Sequence, residues 1–77
     1  MSKFNGHPNW NQWNVSLWIN NDEGLYDMAR ECVKRARTRH DAALQMIESL
    51  RECGFTETPD GAKYSLVAIR HAMQGME

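Results

Sequence analysis

Cysteine is scarce in this chain: Cys32 and Cys53 are the only two, and no CxxC pair exists. That excludes a disulfide framework and a four-cysteine zinc site. Both cysteines fall at apolar positions of predicted helices and read as reduced core thiols, with a helix-to-helix disulfide as the alternative. Long apolar runs are missing too, and none approaches the roughly 20 residues that span a bilayer. The N-terminus carries no charged-then-apolar leader, so the expectation is a cytoplasmic protein with no membrane partner. Neither sign of charge dominates. Nine Lys+Arg against ten Asp+Glu leave a net charge of -1, which argues against a strongly basic nucleic-acid binder and against an acidic DNA mimic.

Chemistry-bearing patterns are equally sparse. The five glycines are scattered, so there is no glycine-rich phosphate loop. His7, His40, His71, Cys32 and Cys53 never stand at i, i+4 on one helix, so no metal site is expected. His40 and His71 read as exposed side chains. Ser16, Ser49 and Ser65 lack a GxSxG context. The expectation is a non-enzymatic protein without a cofactor. What the chain does have is enough apolar content to fold: 77 residues, 42% hydrophobic and 25% charged, one domain over 1–77 with residues 1–8 as a lead-in anchored by Phe4.

The periodicity predicts an all-α bundle of three main helices plus a short C-terminal helix. Residues 9–21 hold all three Trp and five of the six Asn. Asn9 suits an N-cap. Trp13, Leu17, Trp10, Trp18, Val15 and Ile19 spread over an arc of roughly 240° at 100° per residue, with Gln12, Ser16 and Asn20 as the polar stripe. Asn14 falls inside the apolar arc. Its amide is expected to be buried and bonded to backbone of the lead-in or of the next helix. Residues 22–37 form the clearest helix: Asn21 or Asp22 caps it, acidic residues lie early, Lys34, Arg35 and Arg37 late. A third helix over 38–53 starts at Thr38 with Asp41 at the third position. It ends at Gly54 and Phe55 in a Schellman stop. Residues 56–63 are a turn around Pro59-Asp60-Gly61. A short helix over 65–74 is capped by Ser65. The expected core is Trp13, Leu17, Trp18, Leu25, Met28, Val33, Met46, Ile47, Leu50 and Ile69.

Two features admit a binding reading beside a structural one. Residues 30–40 carry Arg30, Lys34, Arg35, Arg37 and Arg39 against Glu31 alone. Arg30, Lys34 and Arg37 are expected on one helical face. That face is either solvated and matched to the helix dipole, or a docking patch for an acidic surface or phosphate backbone. It lacks interleaved aromatics, which weakens single-strand binding. The Trp cluster is either core filling for a small domain or an interface hot spot.

Residues 9–26, NWNQWNVSLWINNDEGLY, carry a resemblance. They are similar to a family of small proteins from bacterial and archaeal viruses and other mobile elements. Its pattern is N-aromatic-x-[TQ]-W-N-V-x-L-W-[IL]-x-N-[DE]. Asn9, Trp10, Gln12, Trp13, Asn14, Val15, Leu17, Trp18, Ile19, Asn21 and Asp22 match it, and Pro59-Asp60-Gly61 matches weakly. The resemblance implies an inhibitor that binds a host defence protein or ribonucleoprotein effector and blocks it sterically, as anti-CRISPR proteins do. The partner-binding candidates are Arg30, Lys34, Arg37 and Arg39 with Gln12, Ser16 and Asn20. Trp10, Trp13, Asn14 and Trp18 are the structural candidates. Two other readings stand beside it: a small accessory nucleic-acid binder using the basic face, and a homodimeric assembly protein. The oligomeric expectation is a monomer or homodimer.

Overall fold

The computed structural model describes residue 7 and residues 9–76. Phe4 and the rest of the expected lead-in, His7 apart, lie outside the described residues. Four helices form among them: α1 (Trp10–Asn21), α2 (Glu23–Arg35), α3 (Arg39–Glu52) and α4 (Leu66–Ala72). The helix starts follow local capping chemistry. The side chains of Asn9, Thr38 and Ser65 accept from the backbone N–H of Gln12, Asp41 and Ala68, each satisfying a donor that has no partner in the first turn. Asp22 caps α2 with extended backbone but without a side-chain hydrogen bond. At the end of α3, Phe55 N–H donates to Leu50 C=O at 2.8 Å and Gly54 N–H to Arg51 C=O at 3.0 Å. Gly54 has φ +81°, so this is the Schellman stop that glycine permits.

Each helix packs on its chain neighbour, and α4 closes back on α1. The result is a ring of four helices around one core. Val15, Ile19, Met46, Leu50, Ile69 and Met73 are fully or almost fully buried there. Burying each such side chain stabilises by about 1.5–3 kcal/mol. Ala29, Ala42, Ala43, Ala68 and Ala72 are buried between them, and these small residues let the helices approach closely.

Several expectations need correction. Helix α2 stops at Arg35, because Ala36 is extended (ψ 154°) and Thr38 must be extended to cap α3. The chain reverses in these few residues, so Arg37 leaves the helical face it was expected to share with Arg30 and Lys34. Helix α4 ends at Ala72 rather than at residue 74. A turn through Gly75 (φ +87°) follows and brings Met76 into the core. On α1 the covered side centres on Asn14, Val15 and Ile19. Leu17 (37% exposed) and Trp10 (41%) therefore face solvent, and Trp13 and Trp18 are half-buried. Met28 and Ile47 are also half-buried rather than central. Cys53, one residue past α3, is exposed, whereas Cys32 is buried.

Asn14 is buried as expected, but its partners are not the lead-in or α2. Its Nδ2 donates to Asp60 Oδ2 at 2.9 Å, and its Oδ1 accepts from Thr58 Oγ1 at 2.6 Å. Thr58 Oγ1 in turn accepts from Ala62 N–H at 3.0 Å. Trp18 Nε1 donates to the same Asp60 oxygen at 3.0 Å. One turn earlier, Asn11 pairs with the backbone of Lys63 through both its donor and its acceptor, at 3.1 and 2.9 Å. Its amide thus acts as a strand partner for the loop. The loop has its own frame: Gly61 N–H bonds Thr58 C=O at 2.9 Å, Gly61 has φ +95°, and Glu57 and Lys63 form an antiparallel bridge. Pro59 in second position and a left-handed glycine in fourth are residues that such a turn favours.

Replacing Asn14 by Leu leaves the buried Thr58 hydroxyl without its acceptor and takes one of two donors from the exposed Asp60 carboxylate. The expected cost is about 1–3 kcal/mol of unfolding free energy, read from a urea titration. Leu17→Gln, on the exposed side of the same helix, should stay within about 0.5 kcal/mol of wild type. Equal stability of the Asn14→Leu variant would remove the network from the fold's determinants.

Candidate docking surface

The ring arrangement draws residues from distant parts of the chain onto one face. Helix α1 offers the stripe Gln12, Ser16, Asn20, and α4 lies alongside, so Gln12 and Ser16 are half-covered instead of fully solvated. Asn20 Nδ2 turns back to Ser16 C=O at 2.8 Å and Ser16 Oγ at 3.2 Å. Gln12 lines a groove of about 540 Å³ with Arg39, Leu66, Val67, Arg70, His71 and Gln74. Asn20 lines a second groove of about 350 Å³ with Tyr26, Arg30, Gln74, Gly75 and Met76. Gln74 belongs to both, so the two grooves adjoin. Arg39 ties them further by donating from Nη2 to the Met76 carbonyl.

Charge lining this face is of one sign among the described residues. Arg30, Arg39 and Arg70 border the grooves, and no carboxylate lines either among the described residues. The ion pairs formed among the described residues are Arg35–Glu31 at 3.4 Å and Lys63–Glu57 at 3.3 Å, both exposed and elsewhere. The three groove arginines therefore carry uncompensated charge among the described residues. Arg30 sits 5.9 Å from the Tyr26 ring centroid, within cation–π range, which helps to hold the guanidinium at the groove edge.

Of the residues expected to bind, the structure brings Gln12, Asn20, Arg30 and Arg39 to these grooves, with Ser16 between the two α1 positions. It does not bring Lys34 or Arg37. Arg70, His71 and Gln74 join the face unforeseen. Arg70 had no Lys or Arg within a turn of it in sequence to mark it, and the closure of α4 on α1 sets it beside Arg39. Among the structural candidates, Asn14 and Trp18 hold the loop, and Trp10 stands exposed.

His71 was expected to be exposed. It is half-buried, and its Nε2 lies 2.6 Å from Nδ1 of His7, with the rings edge to face. Such a contact needs one ring to donate and the other to accept, so it favours a neutral member. Burial, and then the charge of His7, holds the His71 pKa below the ordinary histidine value of 6.5. Elsewhere, burial pushes the Cys32 thiol up and keeps it protonated, which makes it a poor nucleophile. The Asn14 and Trp18 donors hold the Asp60 carboxyl below the usual carboxylate range.

The sign for His71 follows from linkage. A histidine with a depressed folded pKa binds fewer protons folded than unfolded. Its contribution is complete above the ordinary value of 6.5 and is lost as pH falls from there through the depressed folded value. The melting temperature should therefore drop between pH 7.5 and 5, and the His71→Gln variant should show a shallower drop over the same window. Parallel profiles for the two proteins would show that the pair does not couple protons to folding.

Among the described residues no helix is long and apolar enough to cross a membrane, and no group of three or more His, Cys, Asp or Glu is placed to hold a metal ion. The chain matches no curated protein and no solved structure. A family model does match, over residues 1–77, and on that ground the chain belongs to the family of unknown function DUF7249.

Proposed function

We propose that this protein is a non-enzymatic docking protein that covers an acidic surface of a larger partner and blocks it sterically. The observation that carries the reading is the row of Arg30, Arg39 and Arg70 along two adjoining grooves with no lining carboxylate among the described residues. A single exposed ion pair contributes only about 0–1 kcal/mol. Three charges of one sign beside apolar Leu66 and Val67 gain more, because apolar contact excludes water around them and wrong partners are repelled. The resemblance of residues 9–26 to proteins of viruses and mobile elements supports the biological setting. In that setting the partner is a host defence protein or ribonucleoprotein in the host cytoplasm, with anti-CRISPR-like inhibition the leading case.

The test is phage plating on a strain with an active CRISPR defence that expresses the protein. Wild type should protect the phage. The reversal R30E/R39E/R70E should abolish protection while circular dichroism stays helical, and K34E/R37E, off the grooves, should retain it. No protection by wild type, or protection by both variants, would overturn the reading. Duplex DNA binding whose affinity falls with salt at a log–log slope of about -2.7, three phosphates at about -0.9 each, would assign the face to nucleic acid instead.

A homodimer is a second reading. It rests on Trp10 and Leu17, 41% and 37% exposed and two turns apart on α1. Light scattering across concentrations should then show mass doubling that Trp10→Ser abolishes.

A further inference from the structure

A different surface has the opposite character. Trp18, Leu25, Phe55, Pro59 and Tyr64 form the walls of a groove of about 310 Å³ where α1, the start of α2 and the 55–64 loop meet. Its remaining lining residues are Asp22 and Glu57, so the groove is aromatic in body and anionic in charge. A smaller recess of about 90 Å³ lies on the other side of Phe55 and Tyr64, lined by Ile47, Leu50 and Arg51.

The walls are held in place rather than left loose. Trp18 is pinned by its indole N–H on Asp60. Phe55 follows the left-handed Gly54, with its own N–H bonded to Leu50, and stays 53% exposed instead of folding onto α3. Asp22 makes no side-chain capping bond, and its charge reaches Tyr64, whose pKa it helps to raise after burial. Glu57 has an exposed lysine, Lys63, as neighbour at 3.3 Å, a pair that water and salt weaken.

We propose that this groove is a peptide-binding site for an extended segment of a partner protein bearing an arginine next to an apolar residue. A planar guanidinium stacks on aromatic faces and bonds carboxylates. It therefore fits a groove walled by Trp18 and Tyr64 and flanked by Asp22 and Glu57. The recess beyond Phe55 takes the neighbouring apolar side chain, and Arg51 at its edge repels a second cation. The charge on the walls selects a basic segment, the reverse of what the arginine grooves select, so the two sites accept different parts of a partner or different partners.

The experiment is a ¹H–¹⁵N titration of the full chain with two blocked hexapeptides, Gly-Gly-Arg-Leu-Gly-Gly and Gly-Gly-Glu-Leu-Gly-Gly. The arginine peptide should shift the Trp18 indole and the Phe55 and Tyr64 amides in a saturable way, and the glutamate peptide should not. D22N/E57Q should weaken the arginine peptide at least tenfold, and Phe55→Ser, an exposed position, should do the same. Asn remains a good capping residue at position 22, so the fold is expected to survive. Three results would overturn the proposal: no saturable shift with the arginine peptide, equal shifts with both peptides, or the same resonances moving on simple dilution, which marks a second copy of the chain as occupant. The arginine grooves carry none of the reporting residues, so failure here leaves the docking reading untouched, and failure there leaves this one.

Discussion

The buried amide of Asn14 constrains the rest of the molecule. An amide placed in the apolar side of a helix must find a donor and an acceptor or destabilise the fold. Here it finds Asp60 and Thr58, both on the loop between α3 and α4. Meeting that requirement pins residues 58–62 across α1, and the loop then hands the chain to Ser65 and α4. The polar contact lies on the same helix against which α4 packs, and Ile69 and Met73 of that segment are fully buried. Residues of α1 and the turn at Pro59-Asp60-Gly61 meet at this point.

Two surfaces of opposite character flank this contact. The packing of α4 beside α1 sets Arg70 near Arg39 and the polar stripe of α1. The Asp60 carboxylate holds the indole of Trp18 in the wall of the aromatic groove. The arginines come from α2, α3 and α4, and the carboxylates of the second groove from the α1–α2 junction and the loop. A chain of net charge -1 thus carries arginines along one pair of grooves and carboxylates along another groove.

The helix starts and the stop of α3 were legible because their chemistry is local. Asn9, Thr38 and Ser65 each satisfy a donor three residues away, and Gly54 supplies a backbone conformation that other residues resist. The Leu25–Ala29–Cys32–Val33 stripe of α2 was legible for the same kind of reason, since a narrow apolar face leaves one way to turn the helix inward. Helix α1 was not. Its apolar arc covers two-thirds of its girth, so the sequence offers no clear minimum to point outward. Its neighbours made that choice, burying an asparagine and leaving Leu17 and Trp10 in solvent. Arg37 was misplaced because the three-residue reversal before α3 competes with the last turn of α2, and the Thr38 cap prevails.

The sequence by itself determined the all-α class, three of the four helix caps, the Schellman stop and the turn at Pro59-Asp60-Gly61. All of these rest on interactions between residues a few positions apart. Tertiary structure alone decided which side of α1 is covered, which partners Asn14 takes, that His7 meets His71, and that Arg30, Arg39 and Arg70 share a face while Lys34 and Arg37 do not. Those outcomes join residues as far apart as 64 positions. Local periodicity holds no record of such pairings. They are set by the requirement that every buried amide find a partner and every apolar stripe find another helix.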